Sequence, residues 1–89
     1  MSVYVDAAVW PFGRMLMCHM IADTSEELNL MADKIEVKRR WIQHPNTYRE
    51  HYDICKSKRA LAIRYGAIQV TMSFVGEFME KRKNNDRLK

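Results

Sequence analysis

The sequence predicts a single small α/β domain with a mostly parallel sheet of three to four strands and about three helices. A chain of 89 residues can bury only one hydrophobic core. Apolar residues make up 47% of it, and it has three glycines and two prolines, as in ordinary globular proteins. Strand-like and helix-like segments alternate along the chain, and that order favours parallel pairing through crossover helices.

Two strand patterns precede the first helix. Residues 3–5 are β-branched or aromatic and predict a strand that ends at Asp6. Residues 10–14 contain a proline and a glycine and predict a loop. Residues 15–21 are apolar except for His19, a pattern typical of a strand buried on both faces.

The first helix is predicted from a capping box. Thr24 is followed three residues later by Glu27, and the acidic first turn complements the helix dipole. Apolar side chains then recur at helical spacing, at Leu28, Met31, Ala32 and Ile35. Residues 37–43 are interpreted as ending in a short strand, and residues 44–47 predict a turn.

The rest of the chain predicts a second helix, a strand and a last helix. Residues 57–65 are expected to be helical and to end at Gly66, since glycine suits a left-handed C-cap. Residues 67–72 alternate and predict a strand. Its inward side chains would be Ile68, Val70 and Met72. Ser73 is expected to cap the last helix.

The formal charge of +4 comes from the end of the chain, where residues 81–89 carry five basic side chains and one acidic one. We interpret that segment as a frayed tail beyond a domain of residues 1–80. Residues 34–64 form a basic block of nine basic and three acidic side chains. Such a block attracts phosphates, although a solvated helix face that only keeps the protein soluble has the same composition.

The composition also indicates a compartment. No segment approaches the roughly 18 consecutive apolar residues of a membrane span, and the first residues lack the order of a signal peptide. Cys18 and Cys55 are too few for a disulfide framework, and seven methionines suit a reducing interior. We expect a cytoplasmic protein with free thiols and no membrane partner.

Five carboxylate and imidazole side chains could converge on one site. These residues are Asp6, His19, Asp23, His51 and Asp53. Asp6 and Asp23 follow predicted strands, and ligands of open α/β sheets bind beyond strand carboxyl ends. His51 and Asp53 would point the same way in an extended segment. We assign the three aspartates to a divalent cation, Mg²⁺ or Mn²⁺, and the two histidines to catalytic proton transfer. The alternatives are a core histidine at His19 and an N-cap aspartate at Asp23.

Zinc is not expected, because Cys18 and His19 are adjacent on a strand and would face opposite sides. The basic block interleaves aromatic with basic side chains, a composition that stacks bases and holds phosphates. The residues predicted to bind the ligand are Arg40, Trp41, Tyr52, Lys58 and Arg59. Alternatively, the aromatic rings belong to the core and the arginine stems cover its rim.

Several short motifs resemble a small domain family of unknown function found in bacteriophages and bacteria. The motifs are VYVD…WP (residues 3–11), CHMIAD (18–23), RW (40–41), HYD (51–53) and SKRA…GA (57–67). The resemblance places the family's polar motifs on Asp6, His19, Asp23, Arg40, His51, Asp53 and Lys58. It implies one site but no particular reaction, and it implies the host cytoplasm for a phage-encoded chain.

Three functions are open from the sequence. In the first, the chain binds a phosphate-bearing ligand, a nucleotide or nucleic-acid end, with metal-assisted phosphoester hydrolysis. In the second, a non-catalytic phage-type protein sequesters a nucleotide in the same pocket or inhibits a host protein. In the third, the chain is an interaction protein held as a homodimer through exposed methionine and aromatic side chains.

Overall fold

The computed structural model describes residues 2–7 and 10–86. In chain order the elements are β1 (Val3–Val5), β2 (Trp10–Phe12), β3 (Met15–Ala22), α1 (Ser25–Lys34), a 3₁₀ turn (Arg39–Trp41), β4 (Tyr52–Cys55), α2 (Lys56–Arg64), β5 (Ile68–Gln69) and α3 (Met72–Asp86). The α/β class is confirmed, and so are the three helices within the described residues.

The sheet is mixed and mostly antiparallel, so the prediction of a mostly parallel sheet is wrong. Within the described residues it has five strands. The long strand β3 pairs antiparallel with β2, β1 and β4, whereas β1 and β5 pair parallel. The physical reason is the length of the connections: parallel pairing needs a crossover of a dozen or more residues, whereas β2 and β3 are joined by a two-residue turn.

The main core lies between one face of the sheet and the helices α1 and α2. Its buried side chains include Cys18 and Met20 from β3 and Leu28 and Ala32 from α1. The predicted capping box begins α1, since the Glu27 backbone N–H donates to the Thr24 hydroxyl at 3.2 Å. Local capping and helical spacing therefore predicted this element correctly.

Helix α3 contacts the opposite face of the sheet through aromatic rings. The Tyr4 ring of β1 lies 5.1 Å from that of Phe74 and 5.5 Å from that of Phe78. The cap is Thr71, whose hydroxyl accepts the Phe74 N–H, and not Ser73 as expected. The helix continues past residue 80 to Asp86, and residues 87–89 of the expected tail lie outside the described residues. No helix in the described ranges is long and apolar enough to cross a bilayer.

Three other local predictions need correction. Residues 10–12, expected in a loop, form β2, because Pro11 is tolerated on an edge strand and Gly13 takes a positive φ in the turn that follows. The strand expected over residues 67–72 is only two residues long, and Ile68 is exposed. Residues 37–43 form the 3₁₀ turn and a single bridge between Gln43 and His51. The C-cap predicted at Gly66 is present with φ of 104°.

Candidate metal centre

Three polar side chains line up across neighbouring strands of the sheet. Asp53 of β4 is the cross-strand partner of His19 in the middle of β3. On the other side of β3, Asp6 directly follows β1, and its backbone N–H donates to the His19 carbonyl at 3.2 Å. Antiparallel pairing thus places an imidazole between two carboxylates.

The Asp6 carboxylate fixes the His19 ring. Asp6 is fully buried, and its Oδ1 accepts the His19 backbone N–H at 2.7 Å. Its Oδ2 accepts from His19 Nδ1 at 2.6 Å, so Nδ1 carries the proton and Nε2 is the nitrogen that remains to bind. The same hydrogen bond raises the pKa of His19, against the opposing effect of partial burial.

His51 is oriented in the same manner by a backbone carbonyl. Its Nδ1 donates to the Arg49 carbonyl oxygen at 2.6 Å, because a carbonyl oxygen only accepts. Its Nε2 lies 3.2 Å from Asp53 Oδ1, but that oxygen is buried and accepts no hydrogen bond. The two atoms are close without being aligned as donor and acceptor.

These residues form the His-His-Asp cluster: His19, His51 and Asp53. One potential ligand atom from each lies within 4.8 Å of the other two. Both rings have Nδ1 held by an oxygen acceptor, an arrangement that orients metal-binding histidines. The donor set and its spacing therefore fit a divalent metal ion, with Asp6 in the role of an orienting group.

A short segment anchored by Glu50 supports His51. Glu50 is buried, and its carboxylate accepts from the Ser25 hydroxyl at 2.6 Å and from the Asn46 backbone N–H at 2.8 Å. His44 and Asn46 in this segment both have positive φ. Nothing in the sequence marks Glu50 as part of the site, because only the fold shows that this carboxylate next to His51 is buried and ties residues 44–51 to α1.

Aromatic side chains flank the cluster. The centre of the Trp10 ring lies 4.4 Å from the centre of the His19 ring. The centre of the His51 ring lies 5.3 Å from that of His19, with an angle of 71° between the two ring planes. His44, the third imidazole, lies 6.1 Å from His51 but does not belong to the cluster. The loop predicted for residues 10–14 gave no reason to place Trp10 beside His19, whereas its position on β2 does.

The structure separates Asp23 from the other acidic candidates. Its carboxylate accepts from the Ser2 backbone N–H at 2.7 Å and from the Tyr4 hydroxyl at 3.0 Å. Asp23 follows β3 and Asp6 follows β1, and the carboxyl ends of two antiparallel strands lie at opposite ends of the pair. Asp23 thus ties down the start of β1, far along the strand from Asp6.

The predicted ligand-binding residues divide into two groups. Tyr52 is fully buried and donates to Asn29 Oδ1 at 2.7 Å, and Arg59 donates from Nε to the Asp6 carbonyl oxygen at 2.6 Å. Their polar groups thus make internal contacts. Lys58 and Trp41 line one groove together with Asp53, and the Arg40 guanidinium lies 5.2 Å from the centre of the Trp41 ring.

The fold and the cluster together define a small α/β domain with a candidate two-histidine, one-carboxylate metal centre on one face of its sheet. The chain belongs to the family described as Protein of unknown function (DUF4031), whose model matches residues 3–82. Neither the curated proteins nor the solved structures contain a match to the chain.

Proposed function

We propose that this protein binds a divalent metal ion through His19, His51 and Asp53 and uses it to hydrolyse a phosphoester of a phosphate-bearing ligand. Three protein ligands would leave coordination positions for the substrate, as in catalytic metal sites. The ion would polarise a phosphoryl oxygen. Both histidines are assigned to the metal ion and not to proton transfer, because each ring has its Nδ1 committed to an oxygen acceptor and one potential ligand atom of each lies within 4.8 Å of one from Asp53.

The observation that carries the proposal is the unsatisfied Oδ1 of Asp53. A buried oxygen without a hydrogen-bond partner is costly, and native proteins rarely retain one without a reason. The neighbouring His51 Nε2 bears a lone pair in the neutral ring, so two lone pairs lie 3.2 Å apart. A cation bound by both atoms removes this repulsion.

The donor set favours Mn²⁺ over Mg²⁺, since Mg²⁺ prefers oxygen ligands and keeps several waters, whereas imidazole suits later metals. The strand geometry that disfavours zinc applies to a site with a cysteine ligand. Cys18 is buried in the core, on the face of β3 opposite His19. Two imidazoles and a carboxylate are also a zinc ligand set, so Zn²⁺ belongs in the test beside Mn²⁺.

The cations near the cluster support a phosphate-bearing ligand. Lys58 lines the same groove as Asp53 of the cluster. Arg40 lies over the exposed ring of Trp41, which lines that groove. Lys58 and Arg40 are therefore the groups we assign to phosphate, and Arg59 has a positioning role at the end of β1.

Titration calorimetry of the metal-free protein with Mn²⁺, Zn²⁺ and Mg²⁺ tests the metal site directly. We expect one Mn²⁺ or Zn²⁺ per chain, and His51→Gln should weaken binding by more than the roughly 10- to 100-fold that loss of an orienting partner costs. His44→Gln is the matched control, because it removes a nearby imidazole outside the cluster. Equal affinities in the two variants, or no binding by any of the three ions, would overturn the proposal.

Turnover is measured separately, with p-nitrophenyl phosphate and bis-(p-nitrophenyl) phosphate in the presence of the bound metal. Metal-dependent release of nitrophenol that His51→Gln abolishes supports hydrolysis. Metal binding without turnover of either ester, or of nucleotides, contradicts the hydrolytic part and favours the alternative, a non-catalytic protein that sequesters a phosphate-bearing ligand at the same site.

A further inference from the structure

A groove of about 510 Å³ lies beside the His-His-Asp cluster. We call it the aromatic groove, and its lining includes Trp10, Phe12, Met17, Trp41, Gln43, Cys55 and Lys58, together with Asp53 of the cluster. Its volume lies in the range of small-molecule sites, roughly 300–1,000 Å³. Two of its aromatic side chains are exposed to solvent: Phe12 is 68% exposed and Trp41 is 56% exposed.

The groove is continuous with the cluster. His19 and Asp53 form one cross-strand pair, and the next pair along that side of the sheet, Met17 with Cys55, lines the groove. Trp10 belongs to both, because its ring contacts His19 and also forms a wall of the groove. A ligand that fills the groove therefore reaches the cluster at its Asp53 end.

The chemistry of the walls favours a flat heteroaromatic group attached to an anion. Indole and phenyl rings offer faces for stacking, and such stacking accepts any base. The Gln43 amide can both donate and accept hydrogen bonds, as a base edge requires. Lys58 and Arg40 add positive charge close to these rings. An apolar side chain of a protein partner would contact the rings but would not neutralise that positive charge.

We propose that the aromatic groove holds the nucleobase of a nucleotide whose phosphate lies at the His-His-Asp cluster. This inference rests on the proposed function and names its substrate class. The base stacks on Trp41, the Gln43 amide meets its edge, and Lys58 lies on the phosphate side. The groove selects substrates by their base, whereas the cluster binds the phosphate and does not discriminate between bases.

Intrinsic fluorescence reports on the groove directly, because Trp10 and Trp41 are the only two tryptophans of the chain. The metal-free protein is titrated with adenosine, guanosine, cytidine and uridine, and then the Mn²⁺-loaded protein with the corresponding 5′-monophosphates. We expect saturable quenching by at least one nucleoside without metal, tighter binding of its monophosphate with metal, and no quenching by ribose 5-phosphate.

Trp41→Ala is the decisive variant, since its exposed ring can be removed with little risk to the fold. It should weaken binding of the nucleoside roughly 5- to 150-fold, the range that one stacked base is worth. Trp41→Phe should restore most of the affinity. The matched control is Tyr65→Ala, which removes another exposed ring that does not line the groove.

The two proposals fail in distinguishable ways. If Mn²⁺ binds but no nucleoside quenches the fluorescence, or if Trp41→Ala binds nucleosides as the unaltered chain does, the nucleobase site is refuted and the metal centre stands. If nucleosides bind but no metal does, the proposed function fails. A dimer in sedimentation equilibrium that Trp41→Ala converts to monomer would overturn the nucleobase site in favour of a second copy of the chain.

Discussion

Asp6→Asn tests whether the orientation of His19 by a buried carboxylate is what prepares the cluster for metal. In the native site, Asp6 accepts both the His19 backbone N–H and the Nδ1 proton. Asparagine can keep only the first contact through its Oδ1, and its amide group then faces Nδ1 as a donor. The ring must turn its lone pair to Nδ1 and carry its proton on Nε2, the nitrogen that would bind the ion.

The expected magnitudes follow from these contacts. Loss of an outer hydrogen-bond partner typically costs about 10- to 100-fold in metal affinity, so Mn²⁺ binding should weaken by that factor. A hydrogen bond to a charged group contributes about 1.5–3 kcal/mol, and the 27% exposure of the His19 side chain places the loss of unfolding free energy near the lower end. The variant should therefore fold and remain measurable.

Calorimetry with Mn²⁺ at pH 8 and urea unfolding of the metal-free protein measure the two effects. Asp23→Asn is the matched control. It also removes the charge of a carboxylate that accepts two hydrogen bonds, but Asp23 lies outside the cluster. Its Mn²⁺ affinity should equal that of the unaltered chain. An Asp6→Asn variant that folds and binds Mn²⁺ as tightly as the Asp23→Asn control would refute the orienting role of Asp6.

The pH dependence provides an independent check on the same pair. Because Asp6 raises the pKa of His19 in the folded state, the pair stabilises the metal-free protein fully below the unfolded pKa of about 6.5. That contribution is lost as the pH rises through the raised folded pKa. Mn²⁺ affinity should change in the opposite sense and increase over this range, since the ring must lose its proton to bind. Asp6→Asn should flatten the stability profile.

Three further predictions concern single positions. Gly76→Ala in α3 should stabilise the protein by about 0.4–1 kcal/mol, since the added Cβ would meet no atom within 4 Å. Gly66→Ala should destabilise it by about 1–3 kcal/mol, because the φ of 104° is unfavourable for alanine. Urea unfolding measures both changes, and changes of the same sign would contradict this reasoning. Thr24→Ala should cost about 1 kcal/mol in the same assay through loss of the α1 N-cap, and no change would refute the capping role. Iodoacetamide should modify Cys55 before Cys18 at pH 8, because burial raises the pKa of Cys18 to about 12. At Cys55, hydrogen bonds from Ser57 and nearby backbone N–H groups outweigh the effect of partial burial and lower the thiol pKa. Peptide mass mapping measures the order of labelling, and faster labelling of Cys18 would contradict this prediction.

Local signals predicted the helices better than the strands. The capping box at Thr24 and the terminating Gly66 act within a few residues, and the structure confirms both. Strand direction depends instead on which segments meet across the sheet. Assigning residues 10–14 to a loop removed β2, and with it the hairpin that pairs β2 antiparallel with β3.

The same limit applies to the site. The separation of His51 and Asp53 by one residue predicted a shared side, and the structure places the two side chains 3.2 Å apart. The grouping of Asp6 with Asp23 assumed parallel strands and therefore placed two distant carboxylates together. That Asp6 orients His19 depends on a cross-strand register, which no residue pattern within one segment encodes.

The pairing of His19 with Asp53 has a consequence for how chain length can vary. Successive residues of a strand face opposite sides, so deleting one residue from β4 would turn Asp53 toward the core and move Ile54 onto the cluster face. Insertions into residues 44–48 would leave that alternation intact. In related chains we therefore expect gaps in the segment that precedes Glu50, and a fixed length from His51 to the start of α2.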